Sequence, residues 1–192
     1  MLSNLKLKIG LSQLQKRLKT FQRKKMVYNF ESARKVGILI ASSADAFDHA
    51  MQLQSFLTAK RIESTTLIFC TEKEIPQKYF LRKGVSVFSK KELNWYGKPI
   101  SSVAEEFINT NYDILIDLSM TESFPLRWIS SLSKAKFKVG TLQYYGNPND
   151  LVISISKEKG IDYLIEQIIH YLSILNNRFA QEENWNKDIK IN

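Results

Sequence analysis

The sequence predicts an α/β fold: a mostly parallel sheet of about five to six strands with helices on both faces, preceded by a basic amphipathic N-terminal helix. Three observations carry that prediction. Apolar runs such as those at 36–41 and 112–118 are continuous rather than alternating, as in strands buried on both faces. Helical patterns alternate with these runs along the chain, the order expected of βαβ units. The first 25 residues stand apart, with eight Lys or Arg and no Asp or Glu.

Residues 2–25 read as one helix. Leu7, Leu11, Leu14, Leu18 and Phe21 recur at spacings of four, three, four and three, which forms a single stripe. Lys16, Arg17, Lys19, Arg23 and Lys24 spread over the other faces. The apolar seam must bury against the protein's own body, a second copy, a partner or a lipid interface.

The body opens with a strand over 34–41, a helix over 45–61 and a second strand over 64–70. Pro76 and Gly84 bracket a short helix, and 85–88 is a third strand. Ser102 and Glu105 predict a capping box opening a helix that runs through Thr110. A central strand over 112–118, a helix over 124–133, a fifth strand over 137–142 and a sixth over 151–155 precede a closing helix over 161–175. Only about eight residues separate strands five and six, too few for a helical crossover, which predicts an antiparallel hairpin at one edge. This order is Rossmann-like. It divides the chain into a basic helical arm over 1–30, the α/β domain over 31–178 and a polar, loosely held tail over 179–192.

Composition narrows the function. Of a net charge of +9, eight units lie in the first 25 residues, so the remainder is close to neutral. A charge block of this kind adds little to a fold and much to association with an anionic partner. The single cysteine, Cys70, excludes an internal disulfide and a cysteine zinc cluster. No run approaches the roughly 18 apolar residues of a membrane span, and no continuous apolar stretch at the start suggests a secretory signal. An acid-free amphipathic start also suits an organellar transit peptide, although Lys outnumbers Arg there. A reducing cytoplasm is the expected location.

In an open α/β sheet, ligands sit beyond the carboxyl ends of the strands. A dinucleotide or triphosphate site needs a glycine-rich turn there, so that backbone amides can approach the phosphates. This chain has Ala41-Ser42-Ser43-Ala44-Asp45 instead, and the sequence calls for no cofactor and no metal. Ser42, Ser43, Asp45 and His49 would meet Asp117 and Ser119 as a possible ligand crevice if strands one and four are neighbours. Against this, Asp45 suits a helix N-terminus electrostatically and His49 suits a helix surface. Trp95 and Tyr96, inside Lys90-Lys91-Glu92-Leu93-Asn94-Trp95-Tyr96-Gly97-Lys98-Pro99, are placed either to stack a base or to plug the end of the sheet. Tyr144-Tyr145 beside Gly146 admits the same two readings.

The chain resembles a small uncharacterised family of Bacteroidota α/β proteins with a basic N-terminal helix, a domain of unknown function. The resemblance rests on Leu-Lys-Leu-Lys-Ile-Gly at 5–10, Lys-Lys-Glu-Leu-Asn-Trp at 90–95, Tyr-Asp-Ile-Leu-Ile-Asp-Leu at 112–118 and Ser-Lys-Ala-Lys-Phe-Lys-Val-Gly at 133–140. It implies a cytoplasmic bacterial protein and carries over no activity and no catalytic residue. More faintly, 113–118 and 137–140 look like the N-terminal half of glycosyltransferases of the heptosyltransferase type. Those enzymes hold their sugar nucleotide with a second Rossmann-like domain, for which 192 residues leave no room.

The leading expectation is a non-enzymatic protein whose arm anchors an α/β domain on RNA, plausibly the ribosome. Lys16, Arg17, Lys19, Arg23 and Lys24 would contact phosphates, with Trp95 and Tyr96 stacking. One alternative is a small enzyme or binding domain for a phosphorylated or nucleotide-like molecule. Another is an assembly or membrane-peripheral protein that uses the seam of Leu7, Leu11, Leu14, Leu18 and Phe21.

Overall fold

The computed structural model describes residues 2–175 apart from 44, 142, 143, 145 and 157. The strands are β1 (Lys35–Ala41), β2 (Glu63–Cys70), β3 (Val85–Ser89), β4 (Ile114–Asp117), β5 (Phe137–Gly140) and β6 (Leu151–Val152). The helices are α1 (Leu2–Leu18), α2 (Ala46–Ala59), α3 (Ser102–Asn109), α4 (Phe124–Leu132) and α5 (Ile161–Ile174). The sheet runs β3-β2-β1-β4-β5-β6 and every neighbouring pair is parallel. The protein is therefore a six-stranded, Rossmann-like α/β fold, with its topological switch point between β1 and β4.

Alternate side chains of the central strands feed two cores, as the two-residue period of a strand requires. Ile38, Ile40, Ile68, Ile116 and Val139 pack with α2 and α5, whereas Leu39, Leu67, Phe69 and Leu115 pack with α1, α3 and α4. All four residues of β4 and all four of β5 are buried, which explains why these segments are apolar almost without a break.

The basic helix is docked on the body. Leu14 is 2% exposed within the α3–α4 core, and Leu18 and Phe21 pack partly against it. Gly10 permits the close approach: a Cβ there would lie 2.6 Å from Cζ of Phe124 at the start of α4. Leu7, by contrast, stays 41% exposed and Leu11 half-buried, so the seam buries mainly its C-terminal half.

Four sequence expectations need correction. The helix stops at Leu18 rather than near residue 25, because Thr20 and Phe21 donate their N–H groups to the carbonyls of Arg17 and Leu18 in a tighter turn. An extended strap follows. Tyr28 and Phe30 on this strap are core residues, so the arm predicted to end at residue 30 does not separate from the domain there. Second, β6 is parallel to β5. β6 begins opposite Val139, one residue before the end of β5, so the chain steps back only about 3 Å along the strand, and an extended loop covers it without a helix. Third, α3 is capped from Ser101 with no side-chain cap bond, so Ser102 and Glu105 form no capping box. That device occurs instead at Ser89 and Glu92, ahead of a one-turn helix over Lys90–Glu92. Fourth, the helix bracketed by Pro76 and Gly84 is a single tight turn, Gln77–Tyr79. The predicted tail over 179–192, Leu142 at the end of the fifth predicted strand, Ala44, Gln143 and Tyr145 lie outside the described residues.

If α1 is part of the body, truncating its buried anchor opens a cavity. Leu14→Ala is expected to lower unfolding stability by about 2–4 kcal/mol, measured by denaturant titration. A freely moving arm would leave stability unchanged.

Candidate functional site

Docking α1 on α4 brings together two sequence features that are more than 80 residues apart. The ring of Phe124 is gripped by two glycines: a Cβ on Gly10 would sit 2.6 Å from it, and one on Gly97 3.3 Å. Gly97 has φ +92°, a conformation that L side chains rarely adopt, so this turn favours glycine on two counts. One turn along α4, Trp128 lies edge-on to Phe124 with ring centres 6.0 Å apart. The Arg17 guanidinium and the Lys98 ammonium lie 5.7 and 5.5 Å from the centre of the Trp128 ring. Cations from α1 and from the 94–98 turn thus share one buried indole, an arrangement its electron-rich face favours.

The turn itself is rigid. Asn94 Oδ1 accepts from the N–H groups of Tyr96 and Lys98 at 3.2 and 2.9 Å, the Asn94 N–H donates to the Lys98 carbonyl, and Leu93 bridges to Pro99. Glu92 anchors its base by accepting from the Ser89 N–H and the Ser101 hydroxyl at 2.8 and 2.7 Å. Trp95 stands 63% exposed at the tip, edge-on to half-buried Tyr96. It does not plug the sheet.

Lys16, Arg17, Lys19 and Lys24 are all exposed, and Arg17 among them reaches the Trp128 ring. Arg23 is not among them, and its assignment to phosphate contact is corrected. Its side chain is 7% exposed, donates through Nη2 to both oxygens of Asp150 at 2.6 and 2.7 Å, and donates through Nη1 to the carbonyls of Ala135 and Lys136. Glu105 borders the patch, lining a cavity of about 330 Å³ with Arg17, Trp128 and Lys134.

At the carboxyl edge, β1 and β4 are neighbours as the crevice reading required. The six residues, however, serve local structure. The Ser42 hydroxyl accepts from the Thr71 N–H at 2.9 Å, and the Ser43 hydroxyl accepts from the Ala46 N–H at the start of α2. Asp45 is exposed and makes no cap bond, and His49 meets Gln52. Asp117 turns inward, taking the Ser119 N–H at 3.0 Å. Among the described residues no hydrogen bond joins the β1 group to Asp117 or Ser119. The cavity at this edge, about 550 Å³, lies over β2 and β3 between Thr71–Ile75 and Ser89–Lys91 instead, and includes none of the six. Among the described residues no cluster of three or more His, Cys, Asp or Glu could hold a metal, and no helix is long and apolar enough to cross a membrane.

Residues 6–175 match the model of DUF6913, a family of unknown function. The chain belongs to this family. No curated protein matches it. Among solved structures it is similar to an exopolyphosphatase-related protein from Bacteroides fragilis, with TM-score 0.52 and 14% identity over 74% of this chain and 41% of that one. It is likewise similar to the E. coli heptosyltransferase WaaC with ADP, with TM-score 0.51 and 14% identity over 76% of this chain and 48% of that one. The chain thus spans less than half the length of either, and the likeness bears on the fold alone.

Sequence reasoning singled out the 90–99 segment that contains Lys98, but it missed Trp128 and Arg127 as members of charged or aromatic clusters. Locally Trp128 is one more apolar position of a helix, and nothing near it shows that two distant cations converge on its ring. At the carboxyl edge, Arg127 stacks 4.2 Å over the ring of Tyr144 and bonds Glu122 at 2.7 Å. Burial and the nearby Asp117 push the Tyr144 hydroxyl well above the ordinary tyrosine range.

Burial likewise pushes the Asp117 carboxyl up, opposed by the hydrogen bond it accepts from the Ser119 N–H. A carboxyl raised on folding stabilises the native state where it is protonated. That contribution fades as pH climbs through the folded-state value. Asp117→Asn keeps an acceptor without the charge. It is expected to raise the melting temperature at neutral pH and to leave it unchanged well below the carboxylate range, as thermal melts across pH would show.

Proposed function

We propose that the protein binds RNA through the exposed side of α1 and the 94–98 turn, acting as a non-enzymatic binding protein, with the ribosome as a natural source of that RNA. The observation that supports this most is the convergence of Arg17 and Lys98 on Trp128, which sets the acid-free helix beside the exposed Trp95. Lysine and arginine at phosphates release counterions and give salt-sensitive binding with little sequence preference. An exposed indole on a rigid turn adds a stacking surface for an unpaired base. Lys16, Arg17, Lys19 and Lys24 take the phosphates in this reading, Trp95 takes a base, and half-buried Tyr96 supports it from below.

The test is binding to single-stranded RNA as a function of salt. Replacing Lys16, Arg17, Lys19 and Lys24 by glutamine is expected to weaken binding to all sequences alike. It should also flatten the salt slope by about 0.7 for each phosphate that is no longer neutralised. Trp95→Ala is expected to cost about 1–3 kcal/mol with the salt slope retained. Co-sedimentation with ribosomes at low salt, abolished at high salt and in the fourfold variant, extends the result to that partner. Unchanged affinity and slope in the fourfold variant contradict the proposal.

A further inference from the structure

A second cavity, of about 560 Å³, opens at the β5–β6 edge where the strap leaves α1. Its walls include Leu18, Phe21, Lys25, Ser131, Lys138 and Asn149. Its size suits a small-molecule site. Lys138 is the unusual member: a lysine 1% exposed in the middle of a strand. Two protons of its ammonium go to the carbonyls of Ser130 and Ser131 in the last turn of α4, at 2.7 and 3.1 Å. One donor remains. Ser131 is 4% exposed, and neither its hydroxyl nor the Asn149 Oδ1 takes a hydrogen bond among the described residues. Buried polar atoms are normally paired, so the Ser131 hydroxyl needs an acceptor here, while the Asn149 Oδ1, which only accepts, would take a hydroxyl of the ligand's organic part and not its phosphate.

The charge here is unbalanced as well. Arg23, Lys25 and Lys138 face a single carboxylate, Asp150, which already binds Arg23 through both oxygens and lies 3.4 Å from Lys25. Burial, then the nearby Arg23, pushes the Lys138 ammonium down to about 7. A dianion would supply the missing countercharge and satisfy the free donors together.

We propose that this cavity binds a phosphate monoester, with the phosphate between Lys138, Lys25 and the Ser131 hydroxyl and the organic part against Leu18 and Phe21. The proposal rests on different side chains from RNA binding: none of these residues is among Lys16, Arg17, Lys19, Lys24 and Trp95, although Lys25 adjoins Lys24 in the chain.

The probes are inorganic phosphate and glycerol phosphate, titrated into the full chain and followed in amide NMR spectra. Saturable shifts at Lys25, Ser131, Lys138 and Asn149 are expected, with glycerol phosphate binding more tightly than inorganic phosphate. Lys138→Met should weaken binding at least about tenfold, the loss of one charge-assisted hydrogen bond. Because Lys138 also caps α4, Ser131→Ala serves as a second variant that leaves the cap in place, with a loss of about threefold to tenfold expected. The triple variant Lys16→Gln, Arg17→Gln, Lys19→Gln should leave phosphate binding unchanged. No saturable shift, shifts confined to α1 and abolished in the triple variant, or full affinity in Ser131→Ala would each overturn the proposal.

Discussion

The guanidinium of Arg23 holds the molecule's unusual half in place. Its Nη2 donates to both oxygens of Asp150 while Nη1 reaches the carbonyls of Ala135 and Lys136 at the entrance to β5. Asp150 also accepts the Lys138 N–H at 2.9 Å, so one carboxylate ties the strap, the start of β5 and the approach to β6. Desolvating two such charges is unfavourable unless they are closely paired and hydrogen-bonded, and here Nη2 meets both carboxylate oxygens while Nη1 meets two carbonyls. Once Arg23 is fixed, the strap runs along the β5 entrance, where the Met26 N–H meets the Lys136 carbonyl. It then feeds Tyr28 and Phe30 into the α2–α5 core. Upstream, the same anchor leaves α1 to lie on α4 with Gly10 against Phe124.

The docked position changes what the basic segment is for. A detached charged helix would sample many orientations and lose that freedom on binding. Here Leu14, Gly10 and the Trp128 ring set the orientation beforehand, and Arg17 of α1 stands at a fixed place beside Lys98 of the 94–98 turn. The surface proposed for RNA therefore lies on the α1–α4 face and not at the switch point, where an α/β sheet ordinarily receives its ligand. The fold alone points elsewhere.

Much of this is legible in the residues. The unbroken apolar runs of β1, β2 and β4 announce a parallel sheet, and the four-three-four-three leucine spacing announces a helix with a seam to bury. The parts that fail share one cause: they depend on partners distant in sequence. Nothing near Arg23 shows that Asp150 awaits it, more than a hundred residues on, so it reads as one more surface cation. Ser102 and Glu105 have the right spacing for a capping box, but Ser102 is already the first residue of α3 and the N-cap falls on Ser101, whose hydroxyl goes to Glu92, and the box forms at Ser89 instead. The direction of β6 eludes a count of loop residues, because the gap to be crossed depends on strand register as well. Lys138 does leave a trace, as a charged residue inside a strand that reads as buried on both faces. Such local contradictions of pattern often mark function.

The central claim is that the basic helix belongs to the folded body. Amide hydrogen exchange of the wild-type protein tests it most directly, because protection reports the free energy of opening each segment. If α1 is docked through Leu14 and Gly10, its amides from Gly10 to Leu18 will be strongly protected and will open together with those of α4. Exchange of these amides at unfolded-chain rates while α4 stays protected would contradict the account.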